Sequence, residues 1–100
     1  MRIVAKRTLR LFWESSRSYG DAKRALEDWH AQVRRADWAT PADVKATYRD
    51  ASILKGSRVV FNICGNRYRL ITKINFPYRV VYIRFVGTHA QYDRVDAETV

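Results

Sequence analysis

The sequence predicts an α+β domain in which an N-terminal helical hairpin packs on a small antiparallel β-sheet, with a short helix at the C-terminal end. Three observations predict it. Apolar residues recur at helical spacing as far as Val33, the period changes to two from Arg58 onward, and turn-forming residues separate the segments at short intervals. One hundred residues, 47% of them hydrophobic, suffice for one core, so a single domain over residues 1–100 is expected.

Ile3 and Val4 read as a brief strand able to join a later sheet. Leu9, Phe12 and Trp13 then share one face between Arg7, Arg10 and Glu14, which predicts an amphipathic helix over residues 6–16. Ser16, Arg17, Ser18, Tyr19 and Gly20 end it. Asp21 stands where it would cap a second helix, with Ala22, Ala25, Leu26, Trp29 and Val33 on the buried side. Thr40, Pro41 and Asp43 start a third helix of one or two turns: Thr caps, Pro is preset for the first turn, and the acid favours the positive end of the helix dipole.

In the β half, Val59, Phe61 and Ile63 share one face of a strand over residues 58–63. The next strand, over 67–74, turns Tyr68, Leu70, Thr72 and Ile74 one way and Arg67, Arg69, Ile71 and Lys73 the other. Gly65 and Asn66, tolerant of positive φ, make the hairpin between them. Residues 79–86 are β-branched and aromatic enough for a central strand, on which period two groups Arg84 with Val80, Tyr82 and Val86. Gly87 is expected to break that strand, and residues 88–93 to run as a loop into the short terminal helix.

Charge is segregated along the chain. The net charge is +9, and between residues 51 and 92 Lys55, Arg58, Arg67, Arg69, Lys73, Arg79 and Arg84 stand without a single Asp or Glu. A sheet carrying one sign of charge among aromatic residues suits a polyanion, RNA first. The lone Cys64 can neither close an internal disulfide nor start a metal cluster. His30 lies on the charged side of its helix, and the acid-free stretch offers no ligand for magnesium, so neither metal nor cofactor is expected. With no stretch apolar enough for a signal peptide or a membrane span, a cytoplasmic protein without a membrane partner is expected.

His89, Tyr92 and Asp93 follow the last strand, and helical i,i+3 spacing brings Tyr92 beside His89. Imidazole exchanges protons near neutral pH. A ribonuclease that uses only side chains needs a group to take the ribose 2′-hydroxyl proton, cations to stabilise the pentavalent phosphate, and an acid for the leaving oxygen. The plainer alternative is a histidine satisfied by a backbone carbonyl and a tyrosine packed under the sheet.

Several of these segments together are specific. Residues 60–71 (VFNICGNRYRLI), then Val81, Tyr82, Ile83 and Arg84, then residues 88–93 (THAQYD), resemble the HigB-type toxins of bacterial toxin–antitoxin pairs, within the RelE superfamily of mRNA interferases. The resemblance covers nearly the whole chain and is sharpest from Phe61 to Asp93. It implies a RelE-like fold and an endoribonuclease that cleaves mRNA on the ribosome without cofactor. It also implies a HigA-type helix-turn-helix antitoxin as partner, with operator DNA bound only through that antitoxin. Carried over, Arg69 falls on a phosphate-stabilising arginine, His89 where some relatives have a second arginine, and Tyr92 near a terminal tyrosine or histidine. Where some relatives have basic residues, this chain has Val60 and Asn62, and Lys55 and Arg58 are expected to supply that charge. The expected catalytic set is therefore Arg69, Arg84, His89 and Tyr92, with Lys55, Arg58, Arg67 and Lys73 binding RNA. Two rivals remain open: a ParE-like gyrase poison on the same fold, and an RNA-binding module without catalysis.

Overall fold

The computed structural model describes residues 1–100. Its elements run β1 (Arg2–Val4), α1 (Lys6–Glu14), a 3₁₀ turn (Arg17–Tyr19), α2 (Gly20–Arg35), α3 (Pro41–Thr47), β2 (Ser52–Leu54), β3 (Arg58–Ile63), β4 (Tyr68–Asn75), β5 (Val80–Thr88) and α4 (His89–Tyr92). The class is α+β, as expected, but the sheet is larger and mixed: five strands in the order β1-β5-β4-β3-β2, with β1 parallel to β5 and every other pair antiparallel. Strand β2 has no counterpart among the expected elements. Three residues, Ser-Ile-Leu, are too few to display a period, and pairing with β3 alone makes them a strand.

Helices α1, α2 and α3 take one side of the sheet. Leu9 and Trp13 of α1, and Ala22, Leu26, Trp29 and Val33 of α2, enter a core cluster with Phe61 of β3, Tyr68, Leu70 and Ile74 of β4, and Val81 of β5. Aromatic edges lock it: Trp29 meets Phe61 at 5.3 Å, and Tyr48 meets the same ring at 5.1 Å. Buried Thr72 keeps its place on this apolar face because its hydroxyl donates to the Val59 carbonyl at 3.0 Å.

The helix caps divide. Thr40 and Asp43 form the expected reciprocal capping box at α3. Asp21 does not cap α2, because the helix grows directly out of the 3₁₀ turn, which Ser16 caps instead. Asp21 falls inside the first turn and is free to reach the sheet. In the β3–β4 hairpin the positive φ values belong to Cys64 and Gly65, one residue earlier than expected. Gly87 breaks nothing, since β5 runs through it to Thr88, and α4 follows with no intervening loop.

Strand β5 carries a bulge. Ile71 pairs with Phe85 and Thr72 with Ile83, so Arg84 has no partner across β4. One extra residue inverts the alternation beyond it. Val86 therefore packs toward the core against Leu70, in place of joining Val80 and Tyr82 on the opposite face.

Candidate active site on the second face of the sheet

The sheet face away from α1, α2 and α3 is laid out in rows by its register. Asn62, Arg69 and Gly87 form one row; Val60, Ile71 and Phe85 the next; Arg58, Lys73 and Tyr82 a third; and Asn75 and Val80 a fourth. Cations thus flank an apolar row, in which Val60 and Ile71 are fully buried.

At the first row the chain places the groups able to do chemistry. The Arg69 guanidinium carbon lies 5.6 Å from the centre of the Tyr92 ring, a cation–π distance, and the guanidinium donates to the Asn66 carbonyl at 3.3 Å. Tyr92 in turn meets the His89 ring edge-on at 6.5 Å. Arg69, Tyr92 and His89 make one connected set.

Two local devices hold it. The Thr88 hydroxyl accepts from the Gln91 amide while the Gln91 side chain accepts from the Thr88 amide, so α4 starts at a fixed point despite its single turn. Gly87, opposite Arg69, lets α4 fold tightly on the strand: a Cβ there would lie 2.7 Å from both Gln91 Oε1 and Phe85 Cζ. No larger residue fits without displacing both of them.

Asp93 completes the set. Its carboxylate lies 3.2 Å from His89 Nδ1, with about half of the imidazole exposed. In the tautomer that donates Nδ1–H to Asp93, Nε2 is the ring nitrogen left without a partner in the chain. Asp93 stands with His89 in the sequence without an expected role. The i,i+4 spacing that permits this contact was the available signal.

The other expected site residues are placed differently. Arg67 does not stand in a row with Arg69 and Lys73: it precedes β4, where strand alternation does not apply, and its guanidinium bonds the Asp21 carboxylate on α2. Arg84, at the bulge, donates through Nε to the Val100 carbonyl at 3.3 Å, and no contact joins it to His89. Arg58 is only 8% exposed, because the chain after α4 returns over this face and Ala97 and Val100 accept from its guanidinium at 3.1 and 2.6 Å. Those carbonyls offset the charge of a side chain set directly opposite the cation Lys73. Lys55 pairs with Glu98 of the same returning segment at 3.2 Å, an exposed pair worth little by itself. Lys73 is exposed on its row.

No three His, Cys, Asp or Glu side chains gather closely enough to hold a metal ion. No helix is long and apolar enough to cross a membrane. His30, half-buried on α2, is held below its ordinary pKa by burial and then by Lys6 and Arg34.

The chain is 26% identical over 97 residues to the mRNA interferase HigB of Escherichia coli O6:H1, covering 95% of this chain and 91% of that protein. It is 25% identical over 95 residues to the mRNA interferase toxin HigB of Escherichia coli K12 and to the mRNA interferase HigB of Shigella flexneri, covering 93% of this chain and 88% of each relative. Residues 22–95, which run from the first turn of α2 past Asp93, match the family of RelE-like toxic components of toxin–antitoxin systems called HigB toxins. The chain belongs to that family, and as one half of a toxin–antitoxin pair it has an antitoxin partner.

Proposed function

We propose that this toxin is an endoribonuclease that cleaves mRNA, acting in the cytoplasm on translating ribosomes and using its own side chains as the reacting groups. The observation that carries the reading is the connected set Arg69, Tyr92, His89 and Asp93 on a cationic sheet face. That the similar proteins are named mRNA interferases supports the substrate.

In this mechanism Asp93 orients the imidazole, and His89 Nε2 takes the proton of a ribose 2′-hydroxyl. The 2′-oxygen attacks the adjacent phosphorus and the bond to the 5′-oxygen breaks. The products are a 2′,3′-cyclic phosphate and a 5′-hydroxyl, which receives the proton. Arg69 stabilises the negative charge that builds on the phosphate oxygens, and the Tyr92 ring holds Arg69 and His89 in register. Arg84, Lys73, Arg58 and Lys55 bind the backbone of the strand on either side. For Arg58, Arg84 and Lys55 this requires the returning segment, residues 96–100, to move aside. Arg67 contributes charge at the rim while paired to Asp21. The partner is a HigA-type antitoxin with a helix-turn-helix domain, through which alone the pair binds operator DNA.

The test is product chemistry. Ribosomes programmed with a defined mRNA are incubated with the wild-type chain and with folded His89→Ala and Arg69→Ala variants. Cyclic-phosphate ends from the wild type, reduced about a hundredfold or more in each variant, are expected. Protection of the RNA without new ends would identify a binding module instead.

A further inference from the structure

At the other end of the second face an open groove of about 530 Å³ is lined by Lys73, Asn75, Tyr82 and Arg84, with Phe76 and Pro77 of the β4–β5 turn. That volume is in the range of pockets that hold small organic groups. Its chemistry is specific. Tyr82 faces Lys73 across the strands and is 41% exposed, a large aromatic ring left open on a sheet whose middle row is sealed. Asn75 ends β4 with its Oδ1 accepting from the Tyr78 amide at 3.2 Å, while its side-chain nitrogen donates to no protein group. The bulge sets Arg84 at the edge, where only Nε is engaged with the chain.

An open π-face, an amide nitrogen free to donate and two guanidinium or ammonium groups together describe a site for a nucleobase and its phosphate. The groove also lies on the right line. Arg69 and Lys73 are four residues apart on the same face of β4, roughly 13 Å at strand rise, so a single strand held at Arg69 and following β4 arrives there once residues 96–100 move aside, as binding at Arg58 and Arg84 already requires. We propose that this groove is a subsite for a nucleotide flanking the scissile bond, in which the base stacks on Tyr82 and is read by the Asn75 amide. This deepens the ribonuclease reading and rests on it: Tyr82 and Asn75 set base preference at a distance from the reacting phosphate.

The experiment uses the full chain and labelled single-stranded RNA oligomers whose riboses are 2′-O-methylated, so that binding is read without cleavage. Loss of stacking in Tyr82→Ala weakens binding roughly tenfold or more, and Tyr82→Phe stays within about twofold of wild type. Asn75→Asp keeps the oxygen that caps the turn and removes the donors. Its new charge lowers affinity for all oligomers alike, so a changed ranking among the four bases is the expected sign of lost readout. Unaltered binding by Tyr82→Ala, with Arg69→Ala still weakened, overturns the subsite and leaves the ribonuclease reading standing. Absence of both binding and cleavage by the wild-type chain overturns the two together.

Discussion

The phenol of Tyr68 donates to the Asp21 carboxylate at 2.6 Å, tying the first turn of α2 to the first residue of β4. Arg67 closes on the same carboxylate, and the Cys64 thiol lies 3.6 Å away. The hairpin that leads into Arg69 is thereby fastened to the helical layer, which makes the anchor a condition of the site's geometry.

This anchor gives stability a defined pH window. The Tyr68 hydrogen bond, then the Arg67 charge, hold Asp21 below its ordinary 3.8 against the opposing effect of desolvation, so its contribution is present above that pH and is lost on acidification through its lower folded value. Burial first, and then Asp21, push Tyr68 from 10.0 up to about 12, so stability is complete below pH 10 and falls as pH rises toward 12. Tyr48, raised to about 12 by burial, adds to the alkaline loss. Denaturant midpoints measured across pH should therefore form a plateau with two shoulders. Tyr68→Phe should lower the plateau and reduce, without abolishing, the alkaline shoulder.

Truncating the same ring is more severe. Tyr68 is 1% exposed and packs edge-on against Phe12 and Tyr19, so Tyr68→Ala should cost about 3–5 kcal/mol in chemical unfolding.

Gly87→Ala should separate folding from activity. The new Cβ collides with Gln91 Oε1 and Phe85 Cζ, and Gln91 is half of the capping box that starts α4. Loss of a cap costs about 1 kcal/mol, a loss the sheet tolerates, while His89 and Tyr92 shift with the helix. Circular dichroism should stay close to wild type and mRNA cleavage should fall about tenfold or more. Full activity would show that α4 takes its position from elsewhere.

Asp93→Asn should lower the cleavage rate by less than His89→Ala does, because the pair is half-exposed and the imidazole remains. In the proposed mechanism Asp93 orients the base without holding the strand, so the reduction should appear in kcat with KM unchanged. A change confined to KM would assign Asp93 to binding.

Deleting residues 96–100 should uncover Arg58 and release Arg84 and Lys55, while removing Asp96 and Glu98. RNA binding should tighten at low salt. The dependence of log affinity on log salt should steepen by about 0.7 for each cation that gains a phosphate. An unchanged slope would mean that the returning segment shields none of the RNA-binding charge.

Much of this protein follows from short-range pattern. Helical spacing of Leu9, Phe12 and Trp13, and of Ala22, Leu26, Trp29 and Val33, marks the hairpin, because each buried face is set within one element. Alternation in residues 58–74 separates Phe61, Leu70 and Ile74 from Arg69 and Lys73 for the same reason. The turn of helix that brings His89, Tyr92 and Asp93 together is equally local. What the tertiary structure alone decided depends on partners far along the chain. Arg67 turns to Asp21 because α2 packs over the hairpin. Val86 leaves the face of Tyr82 and Arg84 because one residue of β5 goes unpaired against β4, and β2 exists because β3 offers an edge. Arg58 is buried because residues 97–100 come back across the sheet. Periodicity records which side of its own element a residue occupies, and carries no record of register between strands or of the path by which a later segment returns.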